Sequence, residues 1–409
     1  MTPLRPTPAL FLLGISLTGC GSDTTSPGLD TSAGGTGHTT LQLEVVTIGA
    51  TRDPTGYTVT LDDTTSRVAR PSDTLRFTSL EPGTHRLELT GVALNCRPAV
   101  PRSSTIELTH GLNRASLRVA CDSALSNVLV ISGDLIGLEE PLVAVRPTDG
   151  AALGTLTRGP GALDRRAAVS PDGRYVALAR MTINTSTYTI ATMQVMTLRV
   201  ADGSITPLAA PVPWIDRLAW TPDGQAVLAT GDFPSGHGAY RIPAAGGPPA
   251  RLPLDGLGYD VTSCGDGQLL TTGVESIDRL SATGALLGRW SSGAIDDPQS
   301  PACTGDAGLV AFEARPGGRD ISPYPSAVYL VRGADGVLEQ LTPSGAQAQD
   351  PTLSPAGDRV AFTSLVGADW HTDVLYLAGP RKGQRYTVHR SGFEPVWAPD
   401  LDPEGAGGP

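Results

Sequence analysis

The chain has 409 residues, a formal net charge of −11 and a pI near 5.0. Its 49 glycines and 35 prolines make up about a fifth of all residues, well above average usage, while the 40% apolar content is still enough to fill cores. So much turn chemistry disfavours coiled coils, helical bundles and polytopic membrane proteins, and the acidic balance argues against nucleic acid as a partner, which requires a basic footprint.

Residues 1–20, MTPLRPTPALFLLGISLTGC, place one cation, Arg5, before the short apolar run Ala9–Leu17. That run falls far short of the ~20 residues needed to span a bilayer, and its layout is that of a secretory signal. It ends in Leu17-Thr18-Gly19-Cys20, which resembles the bacterial lipobox. The resemblance implies a diacylglyceryl group on the Cys20 thiol and cleavage just before it, with small residues at Thr18 and Gly19 admitting the chain to the peptidase. An ordinary signal peptide with a chance cysteine is the alternative. Gly21-Ser22 place no acid at the second position, which implies the outer membrane in a cell with two. Residues 21–39 are mostly Gly, Ser, Thr and Asp and read as a flexible tether.

Residues 40–122 show period-two patterning in Leu41–Val45, Tyr57–Asp62 and Arg86–Leu89, with further strand-like runs at Leu75–Thr78, Ile106–Leu108 and Ala115–Cys121. Turn signals separate them at Asp53-Pro54-Thr55-Gly56, Glu81-Pro82-Gly83 and His110-Gly111-Leu112-Asn113. Short strands at this spacing predict an antiparallel β-sandwich. The stretch Leu80–Leu89, LEPGTHRLEL, resembles the strand-turn-strand of PEGA-like and carboxypeptidase-regulatory-like modules. Such modules serve as spacers or adhesive platforms.

The remainder repeats. Val169-Ser170-Pro171-Asp172-Gly173, Trp220-Thr221-Pro222-Asp223-Gly224, Ser263-Cys264-Gly265-Asp266-Gly267, Cys303-Thr304-Gly305-Asp306-Ala307, Leu353-Ser354-Pro355-Ala356-Gly357 and Trp397-Ala398-Pro399-Asp400 are variants of one turn. The aspartate-equivalent positions are 51, 43, 40, 50 and 44 residues apart, the length of a four-stranded propeller blade. Proline presets the first turn position, aspartate caps the turn and glycine takes the left-handed conformation. Together with a D-G turn and an "LT" later in the unit (Ala334-Asp335-Gly336, Leu341-Thr342), the pattern resembles the TolB-type repeat over residues 126–400. The last repeat supplies only an inner strand, while Asn127–Ser132, Pro141–Arg146 and Gly154–Thr157 supply three strands before the first repeat. The expected fold is therefore all-β: an N-terminal sandwich, then a propeller of six blades closed by pairing both chain ends, with 401–409 as a disordered tail.

Apart from Cys20, four cysteines remain, an even number suited to an oxidising compartment. Cys96 and Cys121 lie in the sandwich and keep phase with its core positions, so a disulfide between its strands is expected. Cys264 and Cys303 occupy matching places in consecutive blades, which fits either an interblade disulfide or two buried thiols.

No G-x-S-x-G elbow, H-E-x-x-H motif or phosphate-cradling loop occurs. The six histidines are scattered singly, no cofactor is expected, and the tryptophans fit interblade packing, with sugar stacking an alternative for Trp214 and Trp370. Asp164, Asp216, Asp260, Asp297, Asp350 and Glu394 stand just before the expected inner strands, where loops would enter the channel. They could ring a channel mouth and attract cations or basic peptides; alternatively, each caps its own loop. The resemblance to TolB implies a non-enzymatic, membrane-anchored platform for envelope proteins, although that family is soluble and carries a different, α/β N-terminal domain. A glycan- or small-ligand-binding surface lipoprotein, or a metal-dependent propeller lactonase or lyase, are the alternatives.

Overall fold

The computed structural model describes residues 39–401 except 50–55, 71, 93–95, 99–102, 122, 134–138, 158–162, 185, 188, 255–259, 274, 306–307, 317–325 and 334–335. The segments expected to be the signal, the Cys20 lipobox, the tether up to residue 38 and the tail from 402, with the turn residues Asp53–Thr55, Asp306–Ala307 and Ala334–Asp335, lie outside the described residues. The chain divides into two compact units, one reaching Asp122 and one spanning Ser123–Leu401.

Among the described residues of the first unit eight strands form two four-stranded sheets: β1 (Thr39–Gly49), β2 (Tyr57–Leu61), β3 (Thr65–Ala69), β4 (Asp73–Leu80), β5 (Gly83–Thr90), β6 (Cys96–Pro98), β7 (Ser103–Leu108) and β8 (Leu112–Cys121). One sheet runs β4-β1-β8-β6 and the other β3-β2-β5-β7. Alternation is strict where it matters. Leu41, Leu43 and Val45 on β1 and Ala115, Leu117 and Val119 on β8 are buried, and the residues between them are not. Most pairs are antiparallel, but β1 and β8 run parallel in register from Thr40↔Leu112 to Gly49↔Cys121. A parallel pair needs a long crossover, and the intervening six strands provide it. Cys96 lies directly opposite Cys121, and the two are bonded. The β2–β3 hairpin turns through Asp62 and Asp63, both at positive φ (52° and 58°), where Asn-Gly is the usual choice.

The second unit contains six four-stranded sheets among the described residues. They are designated blades I to VI by their innermost strands: Leu163–Val169, Ile215–Trp220, Val261–Ser263, Ile295–Cys303, Ala348–Leu353 and Phe393–Trp397. Blades I to V each run from inner to outer strand in chain order. Blade VI combines Phe393–Trp397 with Leu129–Ser132, Leu142–Val145 and Ala152–Thr155, so both ends of the unit share one sheet. Leu401, which sequence alone places in the tail, is buried and its amide donates to Ser126 Oγ.

The turns behave as their chemistry requires. Asp172 Oδ1 accepts from the Arg174 amide and Asp223 Oδ1 from the Gln225 amide, while Gly173, Gly224, Gly267 and Gly357 take positive φ. At Gly173 a side chain is also excluded by space, because a Cβ would stand 2.2 Å from the Leu125 carbonyl oxygen. The second strand of each blade is buried on both faces, and alternate residues serve opposite neighbours. Ala177 and Ala179 pack with Val227 and Ala229 of blade II, whereas Val176 and Leu178 pack with Val130 and Leu142 of blade VI. The core is accordingly distributed between successive blades, which leaves the inner strands to line an axial channel.

Candidate functional site in the propeller channel

Counting back four residues from Ser170, Thr221, Cys264, Thr304, Ser354 and Ala398 gives Arg166, Arg217, Asp260, Ser300, Asp350 and Glu394. In blades I, IV, V and VI this residue lies in a β-bulge and has left-handed φ: Arg166 54°, Ser300 52°, Asp350 51° and Glu394 51°. None is glycine. A bulge interrupts the two-residue alternation and re-aims a side chain, and non-glycine residues held at positive φ concentrate at functional sites. Here the repeated bulge brings one polar side chain per blade to the same level of the channel.

These side chains meet across the axis. Arg166 Nη1 lies 3.3 Å from Glu394 Oε1 and 3.6 Å from Asp350 Oδ1, and the Arg166 amide donates to Glu394 Oε2 at 2.8 Å. Ser300 donates its amide to Asp260 Oδ2 (2.7 Å) and its hydroxyl to Asp350 Oδ1 (3.3 Å). Arg217 reaches the Pro301 carbonyl at 3.3 Å. The result is a polar septum that separates two chambers.

The smaller chamber, about 390 Å³, is lined by the turns: Pro171, Pro222, Gly265, Gly305, Pro355 and Pro399. Cys264 and Cys303 form a disulfide in its wall, joining blade III to blade IV. The larger chamber, about 700 Å³, is acidic. Asp216, Asp260, Asp297, Glu313, Asp350 and Glu394 line it, with Arg165, Arg166, Trp370 and Phe393.

Five of the six expected acids thus face one cavity, and Asp164 does not. Its carboxylate is fully buried and accepts from Nε and Nη2 of Arg180, at 2.7 and 2.8 Å. The correction follows from register: Asp164 stands two residues before the bulge position, which blade I fills with Arg166. A ring of like charges is therefore also incorrect, because Arg166 and Arg217 enter it as cations. Asp297 is paired with Arg315 at 3.0 Å. Asp216 accepts from Trp214 Nε1 (2.8 Å) and stands 3.7 Å from His237 Nε2.

Arg165 is held between Glu140 (2.6 Å) and the face of Phe393 (4.6 Å to the ring centroid). Burial raises the Asp216 carboxyl above its ordinary range, against the nearby His237. Burial likewise raises Asp350, although Arg166 opposes it. Glu313 is pushed up to about 8, first by burial and then by the charge of Asp350, whose amide it accepts at 2.7 Å. The Glu394 charge raises Arg166 further, so it stays a cation. Sequence reasoning missed Arg165, Arg166, Arg217, Ser300 and Glu313. Arg166, Arg217 and Ser300 could be found by aligning the blades on the Ser-Pro turn, with Arg165 one residue before that position, whereas Glu313 lies on a second strand with no local signal. Trp370 lines the chamber, while Trp220 is buried and donates to the Ala168 carbonyl. Among the described residues no three His, Cys, Asp or Glu side chains converge in a metal-binding arrangement.

No protein-family model matches the sequence, and no curated relative is similar to it. Among solved structures the chain is similar to TolB from Acinetobacter baumannii, at 13% identity and a TM-score of 0.54, over 78% of this chain and 81% of that one. A putative TolB from Agrobacterium tumefaciens is 17% identical (TM-score 0.47, 68% of this chain and 100% of that one). A chain of a nidogen/laminin complex is 11% identical (TM-score 0.49, 66% and 98%). The first of these likenesses is one of fold, that of a TolB-like β-propeller.

Proposed function

We propose that this chain is a non-enzymatic cell-envelope lipoprotein, anchored through Cys20, whose propeller binds another envelope protein at the acidic chamber. The observation that carries this reading is the chamber itself: all six blades contribute to it, and its carboxylates outnumber its arginines. A low-dielectric funnel with excess negative charge concentrates the field and draws in a basic segment. Trp370 and Phe393 add aromatic faces suited to a cationic side chain. Two disulfides suit a compartment outside the cytoplasm, and the TolB-like fold suits a scaffold role.

Crosslinking and recovery from native membranes tests the reading, with Cys20→Ala as the control for the anchor. The expected result is a discrete envelope protein recovered with the lipidated chain. The double variant Asp216→Asn/Asp297→Asn should lower its recovery by about thirtyfold, since partly exposed charges contribute on the order of 1 kcal/mol each. Unchanged recovery with that variant would remove the chamber from the interface. A glycan is the second reading, favoured by the place of Trp370 in the chamber wall, and a glycan array with Trp370→Ala as control tests it.

A further inference from the structure

The two units divide the charge unequally. Residues 123–401 carry 20 basic against 28 acidic side chains, whereas residues 39–121 carry nine arginines against eight acids. Within the first unit three of those arginines share one face. On the sheet β4-β1-β8-β6 the side chains pointing away from the core include Arg76 on β4 and Arg114 and Arg118 on β8. The register sets Arg76 and Arg114 on either side of Gln42, and Arg118 beside Val46. At a strand spacing of ~4.8 Å and a rise of ~3.4 Å per residue, this is a triangle with sides of about 10, 14 and 17 Å.

All three arginines are exposed, and among the described residues none has an ion-pair partner. Most other arginines of the chain are held by a carboxylate, a ring or a carbonyl. Among the described residues the only acid on this face is Glu44. Two large apolar side chains stand out on the same face, Ile48 (44% exposed) and Leu112 (53% exposed). An acidic chain thus displays one basic face with apolar side chains at its border.

We propose that this face docks on the anionic lipid headgroups of the membrane. The arginines would meet phosphates, and Ile48 and Leu112 would enter the headgroup layer. Chain length favours this occupant. Residues 21–38 join Cys20 to β1, and a Gly/Ser-rich segment of that length spans a root-mean-square distance of only about 25 Å. The proposal takes from the anchored reading only this proximity.

The test uses the full chain with Cys20→Ala, so that no lipid contributes, and measures co-flotation with vesicles of pure phosphatidylcholine or with 30% phosphatidylglycerol added. The expected result is binding at low salt that depends on phosphatidylglycerol and fades as salt rises past the Debye regime. Each arginine near an anionic surface is worth about fivefold in partitioning. Arg76→Gln/Arg114→Gln/Arg118→Gln should therefore weaken binding by about a hundredfold, and lysine at the same positions should retain most of it. A control neutralising the exposed Arg241, Arg381 and Arg390 of the propeller separates a face effect from net charge.

Equal binding to both vesicle types would overturn the proposal. So would unchanged binding by the triple variant, or an equal loss in the control. Circular dichroism of each variant confirms that loss of binding is not loss of fold. Mass analysis of Cys20 in the wild-type chain reports on the anchor separately, so failure of one reading is distinguishable from failure of the other.

Discussion

Glu313 accepts the Asp350 amide in a place where burial and a neighbouring carboxylate both favour its protonated form. Its folded pKa is raised above its unfolded one, so its contribution to stability is complete below the ordinary glutamate range. That contribution is lost as pH rises through about 8. Glu313→Gln retains an oxygen for the amide and cannot ionise. Its melting temperature should match the parent near pH 4 and exceed it by several degrees at pH 9, as thermal melts across that range would read. Asp164 teaches a related lesson. The approach of acids to each inner strand is visible in the sequence, but which residue faces the channel is decided by a bulge. A bulge displaces the alternation by one residue and leaves no mark in composition. Hence Asp216, Asp260, Asp297, Asp350 and Glu394 could be placed near the channel from sequence, while Arg166 was passed over in favour of its neighbour.

At the scale of elements, turn chemistry is the legible part. Pro-Asp-Gly carries its conformation in three residues, so its recurrence reports the blades before any long-range contact is considered. Pairing partners are less legible. Nothing local in β1 or β8 indicates that they run parallel, because that depends on where the whole module begins and ends. The β2–β3 hairpin supplies a pH-dependent element of its own. His85 places Nδ1 2.6 Å from Asp62 Oδ2 and Nε2 2.7 Å from the Glu81 carbonyl. Both ring nitrogens face acceptors, so the bound form is the imidazolium. Burial pulls its pKa down, but the Asp62 hydrogen bond, the Glu81 carbonyl and the charges of Asp62 and Glu107 outweigh it and raise the value. On the Asp62 side, burial is outweighed by His85 and the Arg86 amide, and the pKa falls. The clip is therefore complete between the two ordinary ranges. It is lost as pH rises through the raised His85 value, and again as pH falls through the lowered Asp62 value. His85→Gln should flatten the alkaline limb of stability, and a histidine proton titration by NMR should show a midpoint above the ordinary imidazole value.

At the scale of the molecule, packing is divided among the interfaces between blades, so each blade is stabilised by two neighbours. The Cys264–Cys303 disulfide ties one such pair together, and Cys264→Ala/Cys303→Ala should cost about 2–4 kcal/mol, read as a lowered propeller melting transition in denaturant. Closure has a further consequence. Leu129 pairs with Trp397, so the first strand of the propeller waits for nearly the whole unit to be synthesised. Glu394, which completes the septum beside Arg166, belongs to that last strand. On a ribosome, five sheets can form as they emerge, but neither chamber has its full wall until the final residues are free. A product that stops before Phe393–Trp397 would therefore carry five of the sheets without a complete chamber, and the proposed binding would belong only to chains that include this strand.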